Sequence, residues 1–312
     1  MKRIDHRDPF PDDLRGAVLA LGNFDGFHLG HQRVVAEAVQ WARDEGRPAI
    51  VATFDPHPVR HFAPHVPPFR LTTLDQRAEL FAAAGADAML VFHFDAALAA
   101  MPAEGFVAQL LARHIGAAGV VTGEDFTFGH GRGGNVALLA REGAAHGLAA
   151  RAIGPVSEGG LPVSSSRIRD ALKAGDCATA ARLLTRPFAI RGTVIHGDKR
   201  GRAIGYPTAN MDMGSYLRPR YGIYAVTGRL LDSGETLAGA ANLGIRPSFD
   251  PPKELLEPYF FDFSGDLYGR EVEVALRHFL RPEMKFDGLD ALTAQMALDC
   301  ERARELLAGS AD

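Results

Sequence analysis

The 312-residue sequence is poor in the features that would tie it to a specialised setting. Its two cysteines, Cys177 and Cys300, are far apart and have no metal-ligand spacing, so neither a disulfide framework nor a zinc knuckle is indicated and a reducing cytosol fits. No apolar run approaches the ~18 residues a membrane span needs, and the opening MKRIDHRDPFPDD lacks the apolar segment of a signal peptide. A cytoplasmic protein without a membrane partner is expected. The charge excess is also small: a formal −4 and a pI near 6.3 draw the chain toward neither nucleic acid nor an anionic surface. Internal repeats and low-complexity tracts are absent.

What is present is the balance of a soluble globular enzyme, 46% hydrophobic and 23% charged. Single cores tend to divide once chains pass roughly 250 residues, so two domains are expected. Residues 17–155 alternate apolar runs with helical periodicity. AVLALGNF reads as a buried strand, and the segment His31 to Glu45 as a helix stopped by Gly46. Further strands are read in PAIVATF, ADAMLVFHF, AAGVVTGEDF and LAARAIG. Between them lie helices capped near Thr72 or Thr73, in PAEGFVAQLLARHIG and in NVALLAREGAAHG. This predicts a parallel sheet with helices on both faces, an α/β arrangement that binds ligands at the carboxyl ends of its strands.

Two short helices broken at Gly175 follow, and then the texture changes. Five β-like stretches between Phe188 and Leu280, separated by turn residues, suggest about six strands in a small antiparallel barrel. The C-terminal Leu289, Leu292, Met296, Cys300, Ala303 and Leu307 lie at helical spacing, which predicts one amphipathic helix packed on the barrel, with Asp287 as its cap. The boundary near Leu184 to Pro187 divides the chain into 1–186 and 187–312.

The stretch LALGNFDGFHLGHQRVV from Leu19 sets His28 and His31 in a glycine-rich turn between a strand and a helix start. Unpaired N–H groups and the positive end of the helix dipole make that place suitable for a phosphate. Histidines there can donate to phosphoryl oxygens and stabilise charge that develops during transfer. A metal pair is the competing reading, but no third ligand completes it. His57, His61 and His65 in FDPHPVRHFAPHVPP recur every four residues, yet Pro56, Pro58 and Pro64 argue against a continuous helix, so a loop over the ligand is expected.

In the second half, GDKRGRAIGYPTANMD offers glycines and the basic Lys199, Arg200 and Arg202 ahead of Pro-Thr-Ala-Asn. Such a loop can close over a polyphosphate, although it is not a Walker P-loop. On an extended strand Thr208 and Asn210 point to one face, where a hydroxyl and an amide oxygen suit Mg²⁺ carrying a nucleotide. From spacing alone, a hairpin with a solvated charge run explains the segment equally well.

GNFDGFHLGH, ATFDPHP, TGEDFTFGHGRGG and SSSRIR, in that order, resemble the FMN adenylyltransferase module of the prokaryotic bifunctional riboflavin kinase/FAD synthetases, a Rossmann-like nucleotidyltransferase fold. GYPTAN, RYGIYAV, ANLGIRPSF, LEPYFFDF, DLYG and FLRPEMKF are similar to the riboflavin kinase domain of the same family. The resemblance implies His28 and His31 on the ATP phosphates as catalytic residues, with Gly22, Phe24, Asp25, Gly26, Ser164, Ser165, Arg167 and Arg169 in the nucleotide site. It implies Asp55, His57 and Asp125 near the flavin substrate. For the second domain it implies nucleotide binding by Gly197, Lys199, Gly201, Arg202, Gly205 and Pro207, Mg²⁺ on Thr208 and Asn210, Glu257 as the catalytic base, and Arg281 at the flavin. Without the family, Glu257 reads equally as an exposed edge-strand charge. ATP, riboflavin, FMN and FAD are the implied substrates and products, so the partners are small molecules. A chain retaining only kinase activity, or a flavin sensor without turnover, is disfavoured by the complete residue sets.

Overall fold

The structure of the protein, a computed structural model, describes residues 1–196, 205–246 and 253–309. Its contacts divide it into two compact units, Met1–Pro67 with Thr72–Ser164, and Pro68–Leu71 with the chain from Ser165 onward.

The first unit is a six-stranded sheet in the order β1-β4-β3-β2-β5-β6, every neighbour parallel. The strands are β1 (Lys2–Asp5), β2 (Val18–Leu21), β3 (Ala49–Asp55), β4 (Ala88–His93), β5 (Gly119–Gly123) and β6 (Ala149–Ile153), and a separate antiparallel pair, β7 (Ser157–Glu158) and β8 (Leu161–Pro162), follows them. All four residues of β2 are buried. Val18 and Ala20 pack into one core with Val35, Trp41 and Phe81, while Leu19 and Leu21 enter another with Leu90, Val107 and Leu111. That alternation is what a central strand covered on both faces requires.

The helices α1 (Leu29–Asp44), α2 (Pro58–Phe62), α3 (Leu74–Ala83), α4 (Ala96–Ala100), α5 (Ala103–Gly105) and α6 (Val136–Ala145) fill the crossovers, and α5 runs on into a π-helical stretch over Phe106–Ile115. Thr73 caps α3 in a reciprocal capping box with Gln76.

Two details differ from the sequence reading. The expected loop at 58–62 contains the one-and-a-half-turn α2, because Pro58 occupies a first helical position, where its missing N–H costs nothing. The opening residues supply β1, which pairs with β4 through Ile4 opposite Leu90.

From Ser165 the second unit continues with α7 (Ser165–Ala174) and α8 (Cys177–Leu184). Its strands β9 (Phe188–Ile195), β10 (Asn210–Asp212), β11 (Gly222–Leu230), β12 (Thr236–Arg246), β13 (Lys253–Phe260) and β14 (Glu271–Arg281) close into an antiparallel barrel in the order β10-β13-β12-β11-β14-β9. Rows such as Met211, Leu256 and Leu243, or Ile190 and Val274, are in register and fully buried, so the interior is packed with side chains. Polar residues at alternate positions therefore face outward.

The terminal helix α9 (Leu289–Ala308) lies against this outer face through Ala303, Cys300 and Leu307, which meet Ala225, Ala240 and Phe261. Asp287 does not cap it: the N-cap is Gly288, with no side-chain capping bond. Leu289 is 58% exposed, so the seam is shorter than its apolar spacing suggested.

Trp41 lies across β5, and a Cβ built on Gly119 would stand 2.5 Å from its ring. Gly119→Ala is therefore expected to destabilise the first unit by ~1–3 kcal/mol through overpacking. Trp41 is the sole tryptophan, so urea unfolding followed by tryptophan fluorescence reads that unit directly, and an unchanged midpoint would contradict the close fit.

Candidate active sites

In the first unit, the parallel sheet brings the segments after β2, β3 and β5 to one edge. The chain leaves β2 through Gly22 to Phe27, a turn with Phe24, Gly26 and Phe27 at φ 49°, 87° and 44°. Two non-glycine residues in the left-handed region need outside support. Thr72 supplies part of it: its hydroxyl accepts from the Gly26 N–H at 2.9 Å, and its N–H donates to Asp25 Oδ1 at 3.0 Å. Arg77, 3% exposed, supplies more by donating to the Asn23 carbonyl at 3.2 Å and to Thr53 Oγ1 at 2.8 Å.

The turn delivers His28 as the N-cap of α1. Its Nδ1 accepts from the His31 N–H at 3.4 Å, and the two imidazoles stack with centroids 3.6 Å apart and planes inclined by 17°. A neutral imidazole that accepts at Nδ1 carries its proton at Nε2, so the cap also decides which nitrogen His28 can donate from. Gly30 allows the approach: a Cβ there would lie 3.2 Å from the His28 ring and 3.8 Å from the Val163 carbonyl. The assembly is a helix N-terminus with two imidazole donors, suited to stabilising a transferring phosphoryl group.

The other residues expected here fall into two groups. Phe24 and Asp25 are turned inward: the Phe24 ring, 1% exposed, lies edge-on to His31 and Phe81, and the Asp25 carboxylate meets Thr72. Their side chains shape the turn in which the nucleotide site is expected. Gly22, whose N–H donates to the Ala52 carbonyl, belongs to the same support.

Asp55 closes β3 with an oxygen 3.7 Å from Arg77 Nη2, His57 caps α2 by accepting from the Val59 N–H at 3.2 Å, and Asp125 is exposed after β5. Beside them Phe54, Phe94, His61 and Phe62 form an aromatic cluster, with Phe62 69% exposed. Ser164 ends the first unit and Ser165 opens α7. Arg167 and Arg169 lie on α7, where Arg169 Nε donates to the Phe69 carbonyl at 2.8 Å.

In the second unit, Gly197, Lys199, Gly201 and Arg202 lie outside the described residues. Gly205, Pro207 and Thr208 precede β10, and Asn210, 7% exposed, begins it. Met211 pairs with Leu256, and the Ala209 N–H donates to the Pro258 carbonyl at 2.9 Å, so the register sets Asn210 opposite Glu257. On the far side Glu257 faces Asn242 of β12, whose Nδ2 donates to Glu257 Oε2 at 3.3 Å. Asn210, Glu257 and Asn242 thus share one row on the outer face of the barrel.

Tyr259 follows two positions along and opens a cleft of about 460 Å³ bounded by Tyr206, Phe261 and the α9 residues Ala297, Cys300 and Arg304. Arg281, expected at the flavin, is clamped by α9: Nε lies 2.9 Å from Asp299 Oδ1 and Nη2 lies 2.6 Å from Oδ2. A guanidinium held by a buried carboxylate fixes the helix to β14.

A family model described as FAD synthetase matches residues 10–167, and one described as riboflavin kinase matches residues 184–307. The bifunctional riboflavin kinase/FMN adenylyltransferase of Escherichia coli strain K12 is 40% identical over 291 residues, covering 93% of this chain and 92% of that one. This chain belongs to the bifunctional riboflavin kinase/FMN adenylyltransferase family. The Bacillus subtilis strain 168 member is 35% identical over 296 residues, covering 92% and 91% of the two chains.

A crystal structure described as a macrolide-efflux protein from Streptococcus pneumoniae shares the fold at a TM-score of 0.86 and 30% identity, over 97% of this chain and 99% of that one. Among the described residues no helix is long and apolar enough to cross a membrane.

For this family member, Thr72, Arg77, Asn242, Tyr206 and Tyr259 are the site residues that sequence reasoning missed. Of these, Thr72 was visible as a candidate helix cap beside Thr73, and Asn242 as a polar residue within the apolar stretch AANLGI.

Burial in the cleft wall pushes the Cys300 thiol up to about 11. Alkylation of Cys300 should therefore be slow at neutral pH and rise until about pH 11, since the thiolate is the nucleophile. Mass mapping after timed iodoacetamide treatment checks this, and rapid labelling at pH 8 would contradict it.

Proposed function

We propose that this chain carries both activities of its family, with residues 187–312 phosphorylating riboflavin to FMN and residues 1–186 adenylylating FMN to FAD. The observation that carries the kinase assignment is the outer-face row in which Asn210 stands opposite Glu257, beside an aromatic cleft. The flavin ring fits that cleft between Tyr206, Tyr259 and α9. Its ribityl 5′-hydroxyl then reaches Glu257, which accepts the proton as the hydroxyl oxygen attacks the ATP γ-phosphorus and ADP leaves.

Thr208 and Asn210 offer a hydroxyl and an amide oxygen, two hard donors that fit Mg²⁺ arriving on the nucleotide phosphates. Among the described residues no group of three or more His, Cys, Asp or Glu side chains forms a metal cage, consistent with a metal held chiefly by its substrate. Bound there, the ion would neutralise phosphate charge.

Adenylyl transfer asks for different help. The FMN phosphate is already anionic, so its oxygen attacks the ATP α-phosphorus without a general base, and pyrophosphate leaves. His28 and His31 stabilise the added charge, with Ser164, Ser165, Arg167 and Arg169 as further phosphate contacts. Asp55, His57 and Asp125 stand at the sheet edge near the exposed aromatic cluster, a suitable surface for FMN. In this reading the partners are small molecules, without nucleic acid or membrane, and the location is cytoplasmic.

Incubation with riboflavin, ATP and Mg²⁺, followed by flavin chromatography, should yield FMN and then FAD. Glu257→Gln should lose ~10²–10⁴-fold of FMN formation while still converting supplied FMN to FAD. His28→Asn, which keeps a capping acceptor, should lower FAD formation ~10²–10³-fold and leave FMN to accumulate. Loss of both activities in either variant would overturn the two-site assignment.

A further inference from the structure

We infer that Asn242 is a positioning residue for riboflavin phosphorylation, turning one end of its amide to the Glu257 carboxylate and the other to a hydroxyl of the incoming polyol. The inference rests on Glu257 being the base. An ionised carboxylate only accepts hydrogen bonds, so the 3.3 Å contact with Glu257 Oε2 fixes the NH₂ end of the Asn242 amide toward it. The carbonyl end must then point away.

That oxygen, Asn242 Oδ1, is buried and has no hydrogen-bond partner among the described residues. A buried acceptor left unmatched is costly, and a ligand hydroxyl would satisfy it. Its place in the row suggests its use. Asn242 lies opposite Glu257 on one side and Ile223 on the other, on the outer face that also presents Asn210 and Tyr259. A ligand hydroxyl reaching Glu257 passes this oxygen, whereas backbone groups of β12 are committed to the barrel ladder. The buried neighbours Ala241 and Leu243 keep the strand from shifting to satisfy it otherwise.

The amide therefore has two effects on the reaction. Its N–H stabilises the charged form of Glu257 and holds the carboxylate in one orientation. Its carbonyl aligns the polyol so that the terminal hydroxyl faces the base. The titratable and charged groups sharing this outer face are Tyr259 on β13, Asp212 on β10, Arg281 on β14 with Asp299 on α9, and Glu283 against Gly244. Of these, Arg281 is paired with Asp299, and Asn242 Nδ2 donates to Glu257 Oε2.

The test compares Asn242→Leu, of similar size but without either polar end, with Asn242→Gln and Glu257→Gln in the full chain. Asn242→Leu should lower kcat for FMN formation about tenfold or more, raise KM for riboflavin with KM for ATP unchanged, and move the acid limb of the kcat profile to higher pH. The sign follows from the lost donor: removing an N–H from a carboxylate favours its protonated form, so more base is needed to ionise it. Asn242→Gln, which keeps both amide ends, should recover part of the loss. Conversion of supplied FMN to FAD by the same protein, together with an unchanged circular dichroism spectrum, confirms folding. An unmoved acid limb and unchanged riboflavin KM in Asn242→Leu, with Glu257→Gln inactive, would overturn this inference alone. An active Glu257→Gln would overturn the assignment of the base and with it the role of Asn242.

Discussion

Arg77 is a cation with almost no exposure to water, and a buried guanidinium is stable only when its N–H groups meet acceptors. Its Nη1 and Nη2 groups find them in the Asn23 carbonyl, the Thr53 hydroxyl and the Asp55 carboxylate, so the end of β3 and the turn after β2 are tied to α3 through one side chain. Asp25 and Thr72 repeat the arrangement on the other side of the turn. The backbone of Phe24 and Phe27 can then remain in the left-handed region, and the histidine at the helix start is presented rather than left to wander. The chemistry proposed for the N-terminal unit depends on this clamp.

The barrel solves the opposite problem. Its interior is filled by rows of apolar side chains, which leaves the polar row of Asn210, Glu257 and Asn242 on the outer face. An outer face is ordinarily solvated, and α9 changes that by covering part of it. The Arg281–Asp299 pair at one point of the helix and the Ala303 seam at another hold the cover in place. Glu257 is half-buried on the same face, where Asn242 Nδ2 donates to its Oε2.

Both architectures were legible because their elements are long and their patterns unmixed: apolar runs alternating with helical periods, then strands with turn residues. Elements below that threshold were not. The strand β1 has four residues and one buried side chain, and α2 is framed by prolines that usually argue against a helix. Site residues divide by the range of the interactions that define them. His28 and His31 are three residues apart and could be read as a pair. Asn242 and Glu257 are fifteen apart and meet only through strand register, and Arg281 reaches Asp299 eighteen residues on, so its paired state was invisible beforehand.

The first strand has a consequence for handling the molecule. β4 would otherwise present a row of unpaired N–H and C=O groups, a template on which a second chain could pair. Four residues, of which only Ile4 is buried, stand between that edge and its surroundings. Trimming or fusing at this end would therefore alter colloidal behaviour before it altered catalysis, and loss of material to aggregation would be easily mistaken for loss of an active site.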